Sequence, residues 1–432
     1  MNQIDSAVLT ANNSSTRASK SHTFYAVLVL SLCASFLFYK YVIQNFPSVI
    51  SQQLMADFNL QGLGLGMLSG GYFWTYLITP LFVGIIIDRY GARWVSTFAI
   101  LCCAMGVFWF SQIQDVSMAF TSRALMGFGV SFATIAYMKL AATWFSPSRY
   151  AFLIGLLVSA AMAGAVLGQM PYAWLVEQVG WRDSLYYIGI VGFVLAFLFA
   201  LFVREAPEAL DNKDSEATKT VPFSDMIQVF KSKQNWLLML YSGLSFSPIV
   251  IFGGLWGNPF LQSAYQINAL TASSFMSLVF VGLGVGGPLF ALVPRSLISR
   301  RMLMFWTTLV SALSISIVLY CHPMPTWLLS SLLFTFGFSL GAFSLVFVIG
   351  KEVNPLHLAG TAIAMINASE ALLDAVTEPA IGKMLDVFGS AQVIDGVHHF
   401  SLHSYHLALL ILPIYQIISS LLLLWVKDPE EA

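Results

Sequence analysis

Along most of this chain, apolar residues run on for lengths that match a lipid bilayer, and polar residues gather in short stretches between them. A bilayer-crossing helix needs about 20 mostly apolar residues. Twelve such runs are present, at 24–46, 63–87, 94–112, 117–142, 150–173, 184–203, 235–257, 273–294, 302–320, 326–350, 358–380 and 404–426. One longer polar stretch, "REAPEALDNKDSEATKTVPFSDMIQVFKSKQ", separates the sixth run from the seventh. The pattern predicts an all-α membrane protein with 12 transmembrane helices in two six-helix bundles. Its units are a disordered tail (1–23), a first bundle (24–203), a linker (204–234), a second bundle (235–426) and a short tail (427–432).

Composition points the same way. Only 9% of the 432 residues are charged and 58% are hydrophobic, whereas a soluble chain carries roughly a quarter charged residues. So little charge cannot cover a water-facing surface, and lipid must be the solvent for most of it. A formal net charge of −1 gives no reason to expect a nucleic-acid partner. Cys33, Cys102, Cys103 and Cys321 lie in or beside apolar runs without metal-ligand spacing, so neither a disulfide framework nor a metal is expected. The first residues lack the early apolar core and cleavage site of a secretory signal.

Basic residues set the expected orientation. If the N-terminus is cytoplasmic, the inside segments hold Arg17, Lys20, Arg89, Arg93, Arg149, Arg204, Lys213, Lys219, Lys231, Lys233, Arg295, Arg300, Arg301, Lys351 and Lys427, and the outside segments hold Arg182 and Lys383. Lysine and arginine concentrate on the cytoplasmic side, so both termini are expected there.

Shifting the chain by 208 residues superposes landmarks: Pro80 on Pro288, Arg93 on Arg301, Pro147 on Pro355, and Pro171 on Pro379. The halves therefore read as copies. Halves related by an axis along the membrane normal are a transporter architecture, with the substrate site expected at their interface near the midplane.

Ionisable groups inside spans are costly and mark function. The eleventh span, "GTAIAMINASEALLDAVTEPAIG", carries Glu370, Asp374 and Glu378 four residues apart, with Asn367 at the start of the same stripe. Steps of four along a helix trace one slanted face, about 12 Å long over these eight residues. The offset places Met162, Val166 and Met170 opposite the acids, so the stripe belongs to one half. Three neighbouring anions repel, which favours taking up a proton, a cation or a substrate ammonium. Lys40, in "FYKYVIQNF", and Arg123 lie in the outer parts of spans one and four. Either could pair with the acids or hold a substrate carboxylate. Lys139 is placed to snorkel at the inner end of span four. Gln169, Tyr137, Tyr241, Trp256 and Asn258 are further polar or aromatic groups within spans, and His398, His399, His403 and His406 crowd the loop before span twelve.

Two motifs carry a resemblance. Gly84, Asp88, Arg89, Gly91 and Arg93, in "GIIIDRYGAR", sit between spans two and three; Arg123, Gly127 and Gly129, in "RALMGFG", sit in span four. On these residues the chain resembles the major facilitator superfamily over nearly its whole length. The resemblance implies that spans one, four, seven and ten line a cavity and that the 84–93 loop is an inner gate. There Asp88 would meet an arginine or a helix N-terminus of the other half, Arg89 and Arg93 would hold carboxylates or helix ends, and Gly91 would allow a tight turn. The second copy has Ser296 opposite Asp88 and Ser299 opposite Gly91, which assigns the gate mainly to the first half.

The stretch "NFPSVISQQLMADFNLQGLGLGMLSGGYFWTYLITPLFVGIIIDRYGARW" is similar to the proteobacterial intraphagosomal nutrient transporters, which import amino acids, and to siderophore transporters of intracellular bacteria. Gly164 and Gly168 are present in span five, but the adjacent Gly-Pro of drug exporters is not. No GxxxxGK[ST] occurs, so ATP is not the expected energy source. The combined expectation is a monomeric bacterial inner-membrane transporter driving proton-coupled uptake of a small polar nutrient such as an amino acid. Siderophore or metabolite movement, including export, and a non-transporting membrane sensor are the alternatives.

Overall fold

The computed structural model describes residues 2–205, 228–355, 358–389, 392–394 and 397–427. Most of the linker (206–227) and the tail (428–432) lie outside the described residues. No water in a bilayer core is available to satisfy backbone N–H and C=O groups, so spans must bond internally as helices. The apolar runs accordingly form α1 (Asn2–Val49), α2 (Gly62–Ile78, continued by Pro80–Tyr90), α3 (Ala92–Gln112), α4 (Val116–Trp144), α5 (Pro147–Leu167, continued by Met170–Val179), α6 (Trp181–Phe202), α7 (Lys233–Tyr265), α8 (Ala269–Ala291), α9 (Arg300–Tyr320), α10 (Thr326–Glu352), α11 (Ala359–Phe388) and α12 (Leu402–Trp425). Among the described residues, ten of these are long and apolar enough to cross a membrane, and the α2 pair, bent by 60°, forms one more candidate span. The 30-residue α11 is long enough, but its acids set it apart from an ordinary apolar span.

Two differences from the sequence reading stand out. Residues 2–23 continue α1 as helix instead of forming a disordered tail. A short antiparallel hairpin, β1 (Gln392–Ile394) with β2 (Val397–His399), interrupts the otherwise helical chain between α11 and α12.

The repeat is visible as contacts. Arg93, opening α3, donates from Nε to the Ala200 carbonyl at the end of α6, at 2.9 Å. Its counterpart Arg301, opening α9, donates to the Val426 carbonyl at the end of α12, at 3.0 Å. Both arginines neutralise the partial negative charge of a helix C-terminus. Each half also ties the stretch joining its second and third helices to its fourth helix. Asp88 pairs with Lys139 on α4, while Arg295 and Arg300 reach Glu352 on α10 at 2.5 and 2.6 Å. The device is the same with the charges exchanged. Phe82, Ile85, Trp94, Phe98, Phe197, Trp306, Leu313 and Trp327 are among the large side chains exposed on the outer faces, as a lipid-facing surface requires.

The halves meet closely at the end where α2 begins. Gly62, Gly66 and Gly70 put a glycine stripe on α2 against α11, and a Cβ at Gly66 would collide with the backbone of Glu378 and Pro379. Small residues allow such backbone approach in membranes. At the end bearing the Asp88 loop, Gly84 of α2, Gly155 of α5, Gly287 of α8 and Gly360 of α11 face open space, with nothing within 4 Å of an added Cβ. α2 and α11, which close on each other at one end, make no such glycine contact at the other.

Candidate functional site

A polar cluster is drawn from both halves. From α1, the Lys40 ammonium donates to the Tyr76 hydroxyl of α2 at 2.8 Å. It also lies 4.4 Å from the Tyr76 ring centroid and 5.0 Å from that of Tyr41. Tyr76 also stands beside Thr134 on α4 and Asn367 on α11. On the other side, Ser242 of α7 donates to Glu370 at 2.8 Å. The charges of Lys40 and Glu370 act on each other across the seam, yet the lysine's close partners are tyrosines. A buried ammonium without a carboxylate at contact distance is costly. Tyrosine faces and a hydroxyl offset part of that cost and leave the cation available to an anion.

The three acids differ in access. Glu370 is partly exposed, whereas Asp374 and Glu378, one and two turns nearer the sealed end, are 3% and 1% exposed. One oxygen of each buried acid, Oδ1 of Asp374 and Oε2 of Glu378, has no hydrogen-bond partner in the protein. Ser247 stands beside Asp374 and Ser69 beside Glu378. Together they form a graded line of carboxylates, from the partly exposed Glu370 into the closed seam.

Arg123 is fully buried, between the Phe46 ring at 5.0 Å and the Tyr72 ring at 4.9 Å. It donates to the Ile43 carbonyl at 3.1 Å and the Ser69 carbonyl at 3.4 Å, and its charge acts on Glu378. It fastens α4 to α1 and α2, and Lys40, not Arg123, joins the cluster with Tyr76. Gly127 and Gly129, from the same motif, let α4 close on α2 and α3.

The expected gate loop is disengaged. The resemblance assigns Asp88 a partner in the other half; among the described residues it pairs instead with Lys139 of its own half. Lys139, expected only to snorkel, is that partner. Gly91 adopts φ +85° at the turn between α2 and α3, as expected of glycine. The Glu205 carboxylate accepts from the Ala92 and Arg93 amides at 2.9 and 2.7 Å, capping α3. Arg89 lies over the Tyr90 ring at 5.3 Å, and Gly84 touches nothing across the gap.

The sealed end holds a partner that sequence reading missed. Asp386 of α11 accepts from the Gly62 and Leu63 amides at 2.7 and 2.8 Å, so the second half caps a helix N-terminus of the first. Near this end, Asn45 (both side-chain heteroatoms), Gln169 Oε1 and Trp256 Nε1 are buried without partners in the protein. Each such group costs about 1–3 kcal/mol. By contrast, Tyr137, Tyr241 and Asn258 are satisfied, by Leu153, Thr308 and Ser273. His406 faces His322, with ring nitrogens 2.8 Å apart; the side chains of His398 and His399 lie outside the described residues. No group of three or more metal-binding side chains occurs among the described residues.

A model of the Major Facilitator Superfamily matches residues 28–393. The chain belongs to the Major Facilitator Superfamily. Among its relatives, the Probable galactarate/D-glucarate transporter GudP of Escherichia coli is 23% identical over 411 residues, covering 87% of this chain and 90% of that one. The Lysosomal dipeptide transporter MFSD1 of Pongo abelii is 23% identical over 386 residues, covering 85% and 82%. In fold, the chain is similar to the nucleoside transporter NupG, with a TM-score of 0.70 at 16% identity over 92% of this chain and 98% of that one. As a superfamily member the protein is a multi-pass membrane transporter of small-molecule solutes.

Proposed function

We propose that the protein takes up a small organic carboxylate together with protons, by alternating access between its two halves. The observation that carries this reading is Lys40: a buried cation between the halves, held by tyrosines and lying near an acid of the other half. A carboxylate in the cavity supplies the charge that Lys40 lacks at close range. The relatives named for galactarate/D-glucarate and for dipeptides share a carboxylate-bearing cargo.

Glu370 or Asp374 takes the proton. Both lie on the helix that closes against the α2 glycine stripe, so neutralising them changes the cost of sealing the seam. Loading moves the rocking equilibrium only as far as the states differ in affinity. The bias of basic residues assigns the Asp88 end and both termini to the cytoplasm, and the described state then faces inward in a bacterial inner membrane. A second reading, an amino acid or dipeptide, is favoured by one feature: Glu370 stands across from Lys40 and could take the substrate's ammonium.

Counterflow in proteoliposomes tests the proposal. Labelled carboxylates should exchange, amino acids only if the second reading holds, and an inward proton gradient should drive accumulation. Exchange of neutral nucleosides with no exchange of carboxylates refutes the anion reading. Binding without any exchange would make the protein a sensor.

A further inference from the structure

Asn45 and Gln169, two of the unpartnered groups at the sealed end, share one locality, and Trp256 lies in the helix turn beside it. Asn45 lies one turn beyond Tyr41 on the same face of α1, toward the sealed end. A Cβ added to Gly168 would stand 3.3 Å from Asn45 Cβ, and one added to Gly254 would stand 3.3 Å from Asn45 Oδ1. Gln169 donates from Nε2 to the Gly253 carbonyl at 2.7 Å, across the two halves. Asn45, Gln169 and the Gly253–Gly254 backbone therefore meet where α1, α5 and α7 converge.

Two helices are irregular at this spot. α5 breaks at Gln169, with φ −107° and ψ −105°. α7 widens into a π-turn at Phe252–Trp256, a feature frequent at functional sites. Asn45, Gln169 and Trp256 are 1%, 0% and 0% exposed, and each carries a donor or acceptor that nothing in the protein satisfies. All are neutral. A neutral set of donors and acceptors with an indole suits hydroxyl groups better than a second charge. Because the spot lies between the halves, separating them at this end uncovers it.

We infer that Asn45, Gln169 and Trp256 form a hydroxyl-reading subsite of the outward-open state, and that the substrate is a polyhydroxylated carboxylate. This deepens the proposed function and rests on it: the carboxylate goes to Lys40 and the hydroxyls to the subsite. The Lys40 ammonium lies 5.0 Å from the Tyr41 ring, and Asn45 follows Tyr41 on the same face after a rise of about 6 Å, which suits a chain of sugar-acid size. Closure of the outer end over the carbohydrate face then exchanges the subsite's bonds to substrate for the Gln169–Gly253 bond between the halves.

The test compares D-glucarate with adipate, the same dicarboxylate without hydroxyls, in proteoliposome counterflow. The full-length protein is used with three near-isosteric variants, Asn45→Leu, Gln169→Met and Trp256→Phe. Wild type should exchange D-glucarate at least about tenfold faster than adipate, since a site built to bond hydroxyls rejects the analogue lacking them. The variants should lose most of that ratio while adipate exchange persists, which also reports an intact fold. Equal rates for both substrates in wild type, or variants that keep the wild-type ratio, overturn the subsite. If wild type exchanges adipate but not D-glucarate, the carboxylate reading survives and the hydroxyl subsite falls. If it exchanges neither carboxylate, the proposed function fails and takes the subsite with it.

Discussion

The Asp386 carboxylate, on the last turn of α11, accepts a hydrogen bond from the Gly62 amide at 2.7 Å, although the two residues belong to different halves of the molecule. Leu63 adds a second amide at 2.8 Å. A helix N-terminus leaves its first amides unpaired and carries partial positive charge, so an acid from the opposite half closes this end by capping it. Loss of a cap costs about 0.5–2 kcal/mol. Asp386→Ala should therefore shift the balance toward opening of this end. Spin labels at Asn59 and Ser401 should show a longer-distance population, increased several-fold over wild type. An unchanged distance distribution would mean that the cap does not hold the gate.

The glycine stripe makes a steric version of the same point. A Cβ at Gly66 would run into the backbone of Glu378 and Pro379, and neither can yield without moving α11. Overpacking of this kind costs about 1–3 kcal/mol. Gly66→Val should disfavour the described state, raise labelling of cysteines placed at the sealed end, and slow exchange. Normal exchange with normal labelling would show that α2 and α11 separate more easily than their packing implies.

At the other end, the Asp88–Lys139 pair is largely exposed, and such pairs contribute about 0–1 kcal/mol. Lys139→Gln should leave thermal stability within a degree or two while freeing Asp88 to engage the other half. Asp88→Asn removes the charge that the second state needs, so it should slow uptake far more than it changes the melting temperature. A large loss of stability in either variant would assign the pair a structural role.

The acids on α11 make a prediction about coupling. Glu370→Gln and Asp374→Asn should abolish accumulation driven by an inward proton gradient and retain exchange of labelled substrate. If both variants accumulate normally, the proton binds elsewhere. Glu378, facing the charge of Arg123 and buried at the seam, should behave differently. Glu378→Gln leaves the arginine without a nearby counter-charge and should lower stability.

Much of this is legible along the chain because bilayer physics writes it there. Span length, the polar break after the sixth run and the 208-residue offset all follow from local sequence. The Arg93 and Arg301 coincidence is one contact made twice. The acid stripe is visible because four-residue spacing fixes a helix face. Which partners meet that face is not visible. Tyr76 and Ser242 look like ordinary span residues until tertiary packing brings them to Lys40 and Glu370. Arg123 and Lys40 read alike as intramembrane cations, yet one is bound by backbone carbonyls and the other is held by tyrosines. Asp386 reads as an ordinary residue at a span end, because its role depends on the N-terminus of α2, 324 residues away. The partner of Asp88 also has no local signature: Lys139 stands 51 residues away on α4 and meets it only in the folded chain.

The central claim is that Lys40 anchors a substrate carboxylate between the halves, and counterflow with Lys40→Gln tests it most directly. The variant keeps a side chain able to bond the Tyr76 hydroxyl, so the fold and the sealed end should persist, as read by melting temperature and spin-label distances. Exchange of labelled carboxylate should fall at least about a hundredfold, in line with losing a buried charge-assisted partner. Carboxylate exchange at the wild-type rate by a folded Lys40→Gln protein would contradict the account.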